Sequence, residues 1–225
     1  MRSSSERTRE RLLRAAERLM AEHGIEAVDL MQIQTAAGQR NRSAVSYHFG
    51  DRAGLVLAII DKHRVALNQE RHELLDAWEQ TDERSLRVLL MTGVIPYLRR
   101  LGDPSTRDFM IIVSERAARL GTAGVFAARQ PHSDSVERFN AILVNMVPGA
   151  RAARERLVGN AVLTMSTLLA DVARQINREQ LTAATGRRRI DAIVDFVHSA
   201  ITTTPDHHPA SRPITFDVQR EGSTT

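Results

Sequence analysis

Apolar residues recur at three- and four-residue steps along the chain and never settle into a sustained two-residue alternation, a pattern that predicts helices and no strands. Leu12, Ala15, Ala16 and Leu19 form one stripe opposite a face of arginines and glutamates, which predicts a helix over about residues 5–22, closed by Gly24. In "DLMQ", Asp29 and Gln32 have the spacing of a capping box. They start a short second helix that turns Ile33 and Ala36 inward and ends at Gly38. A third short helix is expected over about residues 42–47, and a long fourth begins with Asp51 as N-cap and carries Leu55, Ile59, Ala66, Leu74 and Trp78 toward "EQTDE".

Three further amphipathic segments, at about residues 83–101, 105–119 and 134–146, are separated by the breaks "LGDPST", "LGTAG" and "RQPHSD". Two longer stripes follow: Leu157, Ala161, Met165, Leu168, Val172 and Ile176 within about 150–179, and Ile190, Ile193, Val194, Val197 and Ile201 within about 187–203. After Thr204 the periodicity is lost and Pro, Ser and Thr accumulate, so residues 205–225 read as a flexible tail. The fold class is all-α. Residues 5–52 form an N-terminal three-helix unit and residues 53–204 a C-terminal helical unit.

The 225 residues and 42% hydrophobic content suffice for a sizeable core. No apolar run approaches the roughly 20 residues that cross a bilayer, and the first 20 residues are charged throughout, so no membrane partner and a cytoplasmic location are expected. The lack of cysteine excludes a disulfide framework and thiolate metal sites. The pI near 10.4 accompanies a net charge of only +4, because nearly every base is an arginine and Lys62 is the only lysine. Overall charge therefore says little about nucleic acid. Local crowding says more.

That crowding is in "GQRNRSAVSYHFGDR", residues 38–52. Two short helices joined by a glycine-bearing turn, with the second polar on its outer side, make a helix-turn-helix. Gln39, Arg40, Asn41, Arg42 and Ser43 stand at the start of the second helix, where arginine suits guanine and asparagine suits adenine in the major groove. Ser46, Tyr47, His48 and Arg52 lie further along, where they can grip phosphates and fix the register beside the N-terminus of the fourth helix. For His48, a packed, hydrogen-bonded ring is the alternative to a phosphate contact.

From about Thr8 to Ile60 the chain resembles the N-terminal DNA-binding domain of the TetR family of transcriptional regulators, on "EHG", Ile33, "AAG", "VSYHFG" and "DRAGL". It departs from the family pattern in a turn about one residue longer, in Ser46 at the slot usually held by tyrosine with Tyr47 one later, in Gln34 for a small residue, and in Arg52 for a lysine. The resemblance implies a repressor that binds a near-palindromic double-stranded DNA operator as a homodimer, with the last two helices pairing across a twofold axis. The same stripes could instead pack inside one subunit. It also implies release by a hydrophobic or amphipathic small-molecule effector. Met91, Val94, Tyr97, Phe109, Met110, Val113 and Phe126 are candidates to line the effector cavity, although such residues at helical spacing also serve as plain core.

No enzyme constellation is present, and no cofactor is expected: "HELLD" at His72 lacks a second histidine, "GTAG" is no phosphate loop, and "DHHP" at Asp206 places two histidines in the tail. The competing reading is a helical protein-interaction module that no longer binds DNA, which the altered turn permits.

Overall fold

The computed structural model describes residues 4–41, 43–82, 84–127 and 134–203, without the side chains of 123–127. Arg42, the side chain of Phe126 and the whole segment after Thr203, including Asp206, lie outside the described residues. The described residues fold into helices α1 (Ser4–His23), α2 (Leu30–Ala36), α3 (Ala44–Phe49), α4 (Arg52–Glu79), α5 (Leu86–Arg99), α6 (Pro104–Ala127), α7 (Asp134–Met146), α8 (Arg151–Asn177) and α9 (Ala183–Thr202), with no strand among them. None is long and apolar enough to cross a membrane.

Local chemistry sets the first four elements. Gly24 closes α1 at φ 97°, a conformation that favours glycine, and its N–H bonds to the Met20 carbonyl. The capping box forms as the spacing predicts: Asp29 accepts from the Met31 N–H and Gln32 accepts from the Asp29 N–H, each at 2.8 Å. The third helix starts two residues later than expected. Asn41 Oδ1 accepts the Ser43 N–H at 3.0 Å and folds the chain into a turn, so Arg40 and Asn41 belong to the connection and α3 begins at Ala44. Asp51 caps α4 through the Gly54 N–H at 2.8 Å.

Two later boundaries also shift. The expected break at "LGTAG" is a kink, because Gly121 at φ 65° redirects α6, which then continues to Ala127. α9 starts at Ala183, four residues before the expected start at 187, because Thr182 accepts the Thr185 N–H and caps the helix ahead of the arginine run.

The core is continuous. α1 packs on α2, α4 and α6, α6 lies along α8, and α8 packs on α9. Of the two long stripes, Ala161, Met165 and Val172 of α8 and Ile190, Ile193, Val194, Val197 and Ile201 of α9 are buried within this one chain. A Cβ at Gly186 would stand 2.8 Å from Ile176 Cδ1, so the absence of a side chain there lets α9 lie close to α8 without moving Ile176. Phe196 remains outside the stripe, 57% exposed on the outer side of α9.

Candidate nucleic-acid interface and internal cavity

α1, α2, α3 and the start of α4 share one small core, in which Leu12, Ala16, Met20, Ile33, Val45, Leu55 and Ile59 are buried. α3 turns Ala44 and Val45 into it, which leaves Ser46 and Tyr47 on the outer side. Tyr47 is 79% exposed, the most exposed of the large apolar side chains among the described residues. Arg40, Asn41 and Ser43 are exposed beside it, and Gln39 is half-buried with its N–H bonded to the Gln34 carbonyl. His48 is half-buried, its ring edge-on to Tyr47 at 4.9 Å and tilted against Phe49 at 6.1 Å. Packing and exposure thus coexist in this ring, and its two sequence readings are compatible.

Arg52 is placed differently from its neighbours in the sequence-derived set. Its Nη1 donates to the carbonyls of Ile25 and Val28 at 2.6 Å each, and its Nε stands 3.5 Å from Glu26. The guanidinium ties the turn between α1 and α2 to the start of α4. Gly54 is required at the same junction, since a Cβ there would lie 2.0 Å from the Phe49 carbonyl oxygen. On the other flank of α3 the Arg9 guanidinium sits 5.0 Å above the Phe49 ring, a contact that no motif announces.

The junction between the N-terminal unit and the rest is polar and buried. Glu17 of α1 accepts from Lys62 Nζ at 2.6 Å and Ser105 Oγ at 2.8 Å, and it bonds His63 Nε2, although its own side chain is only 3% exposed. Burial pushes this carboxyl up, but His63, Lys62 and Ser105 outweigh burial and hold it below its ordinary value. Glu115 and Arg119, one turn apart on α6, reach the α1–α2 turn: both Glu115 oxygens accept the Ile25 N–H at 3.1 Å, and Arg119 pairs with Glu26 at 2.7 Å.

Behind this junction lies a cavity of about 210 Å³ between α4, α5, α6, α7 and α8. Of the sequence-derived lining residues, Tyr97, Phe109 and Val113 face it. Val94 and Met110 are buried in the core outside its wall, and Met91 is packed against that core. Sequence reasoning missed the polar part of the wall: Arg64 and Arg71 of α4 and Arg116 of α6. Phe109 joins cavity to junction, stacking on His63 with ring centroids 4.6 Å apart.

Residues 12–59 match the model for "Bacterial regulatory proteins, tetR family". The chain is similar to the HTH-type transcriptional repressor AcnR of Corynebacterium glutamicum, 28% identical over 130 residues covering 57% of this chain and 59% of that one. The Corynebacterium efficiens protein of the same name is 30% identical over 129 residues with the same coverage. The chain thus spans about three fifths of the length of the curated relatives it matches. A crystal structure of a TetR-family transcriptional regulator from Pectobacterium atrosepticum aligns over 92% of this chain and 100% of its own, at 19% identity and a TM-score of 0.45.

Proposed function

We propose that this chain, which belongs to the TetR family by its N-terminal domain, is a cytoplasmic DNA-binding transcriptional repressor that binds a near-palindromic duplex site as a homodimer and leaves it when a small amphipathic effector occupies the cavity. The observation that carries the DNA-binding half is the outer face of α3 and the turn before it. Arg40, Asn41 and Ser43 in the turn and Ser46 and Tyr47 on α3 are exposed, and the opposite face of that helix is fixed in a core. Arg40, Asn41, Arg42 and Ser43 address base edges, while Gln39, Ser46, Tyr47 and His48 address the backbone. Arg52 acts from behind, holding the α1–α2 turn against α4 so that α3 is presented rigidly.

A twofold mate places a second α3 roughly 34–36 Å away, one turn of the duplex. The outer sides of α8 and α9, where Phe196 is exposed, form the pairing surface. Release follows from geometry. α4 and α6 form walls of the cavity, and both also contact α1, through Lys62 and His63 on one and Ser105 on the other. A ligand that binds better with these helices displaced shifts the two reading heads out of register with the grooves.

Titration of the purified protein against duplexes at several salt concentrations tests the reading. The expected result is steep salt dependence together with preference for one near-palindrome selected from a random pool. A shallow slope with no sequence preference overturns it in favour of a protein-interaction module.

A further inference from the structure

Charge is distributed unevenly on the middle of α4. Glu70 is ion-paired with both Arg99 and Arg100 of α5. Arg64 and Arg71, on the neighbouring face, line the cavity together with Arg116, and no carboxylate lies within ion-pair distance of any of the three among the described residues. Arg71 is 4% exposed, and its partners are neutral: Nη1 donates to Ser135 Oγ at 2.9 Å, and the guanidinium lies 5.9 Å from the centre of the Tyr97 ring. Arg64 Nη1 is buried with no hydrogen-bond partner among the described residues. Burial pushes the Arg64 guanidinium below its ordinary value. The charge of Asp61 and Tyr97 act against this, and Arg116 and Arg71 act with it.

Three like charges gathered on one small cavity without an ion-paired carboxylate among the described residues cost free energy, and a buried donor without an acceptor adds to that cost. The rest of the wall is mostly apolar, with Phe109, Val113, Phe139, Val162, Met165 and Leu169, and carries Asn140 and Ser166 as its neutral polar side chains. At about 210 Å³ the cavity falls below the usual range of ligand pockets, which limits the occupant to a small molecule. Planar guanidinium groups take a carboxylate in bidentate fashion, and the aliphatic and aromatic wall takes a hydrocarbon body.

We propose that the effector is a small amphipathic carboxylic acid in its anionic form, its head held by Arg64, Arg71 and Arg116 and its body lying against Phe109, Phe139 and Met165. This rests on the effector-released reading above and gives it a ligand class. Arg116 stands between Glu115 and Arg119 in sequence, the two residues that grip the α1–α2 turn. A head group that draws Arg116 inward therefore pulls on the helical turn that holds the reading domain.

The test uses the full chain and isothermal calorimetry with octanoate and phenylpropionate, each against its neutral amide and alcohol, and with inorganic phosphate as an anion that has no hydrocarbon body. The acids bind and their neutral analogues bind at least about tenfold more weakly. Arg64→Leu and Arg116→Leu each weaken acid binding by about 10- to 100-fold, while Val88→Ala, on an exposed part of α5, leaves it unchanged. Equal binding of acid and alcohol, phosphate binding as tightly as the acids, no binding by either acid, or undiminished acid binding in the arginine variants overturns the proposal. Displacement from DNA is measured separately: acids that bind through the arginines yet leave the duplex complex intact uphold the ligand class and overturn the release mechanism.

Discussion

The N-terminal three-helix unit and the cavity treat polar groups in opposite ways. In the N-terminal unit the polar groups that hold the helices in place are answered: the exposed cap Asp29 by Met31 and Gln32, Arg52 by two carbonyls, and buried Glu17 by Lys62, His63 and Ser105. What is left unanswered, around Tyr47, faces water, where an open hydrogen-bonding site costs nothing. In the cavity the unanswered group is buried, Arg64 among like charges. Exposed polar groups reveal function only by their arrangement. Buried unpaired ones reveal it by their cost, since the fold carries a penalty that a bound partner can remove.

Stability measurements on variants from each side sharpen that contrast. The largest effect is expected at Glu17→Ala, which leaves Lys62, His63 and Ser105 facing one another at a buried junction, for a loss of about 3–5 kcal/mol in urea denaturation. Its pH dependence has a definite sign. The folded carboxyl lies below its ordinary 4.5, so its contribution is complete above that pH and is lost as pH falls through the folded value. The wild-type advantage over Glu17→Ala therefore shrinks on acidification below about pH 4.5. An advantage that stays constant would show that the carboxylate's charge is not what holds the junction.

Substitutions at two partly buried charges without an ion pair among the described residues should act in the other direction. Arg64→Leu keeps the methylene packing, removes a half-buried cation whose Nη1 has no partner among the described residues, and raises the stability of the ligand-free protein by about 1 kcal/mol. Asp108, partly buried near the end of α8, is pushed up to about 6, first by burial and also by the charge of Glu17, against a hydrogen bond from Asn177 and the charges of Arg107 and Arg18. A raised carboxyl stabilises the fold below its unfolded value near 3.8 and loses that contribution as pH rises through about 6. Asp108→Asn is thus more stable than wild type at pH 7, by about 1 kcal/mol once partial exposure is allowed for, and the gain vanishes below about pH 4.

The same contrast explains what the sequence discloses. The capping box at Asp29, the glycine at position 24 and the Asp51 cap are contacts within a few residues, so their spacing gives them away. α3 is misjudged by two residues because Asn41 makes a competing local turn, and α6 is taken to stop at a glycine that only bends it. The cavity is assembled from five helices, and local spacing does not say which apolar residue faces it: Tyr97 does, while Val94, three residues away, lies in the core. Its arginines were missed because charge on a helix normally means solvent. Ile60, Arg64, Leu67 and Arg71 follow one another at steps of four, three and four, so the two arginines lie on an inward stripe, and that is the signal that could have found them.

The smallest expected change in stability belongs to the residue with the largest proposed role outside the fold. Tyr47 is 79% exposed, and its one ring contact is with His48, so Tyr47→Ala shifts unfolding by less than about 0.5 kcal/mol. If its hydroxyl and ring lie against the duplex backbone, the same substitution weakens operator binding by about tenfold at fixed salt and does so for every sequence alike, because a backbone contact carries no base information. A parallel Asn41→Ala variant separates the two kinds of contact: loss of a base-edge contact falls hardest on the preferred sequence and flattens the preference. Anisotropy titrations of both variants against the selected site and a scrambled one decide the matter. Losses from Tyr47→Ala confined to the selected site would move Tyr47 from the backbone to the bases, and no loss in either variant would remove α3 and its preceding turn from the interface.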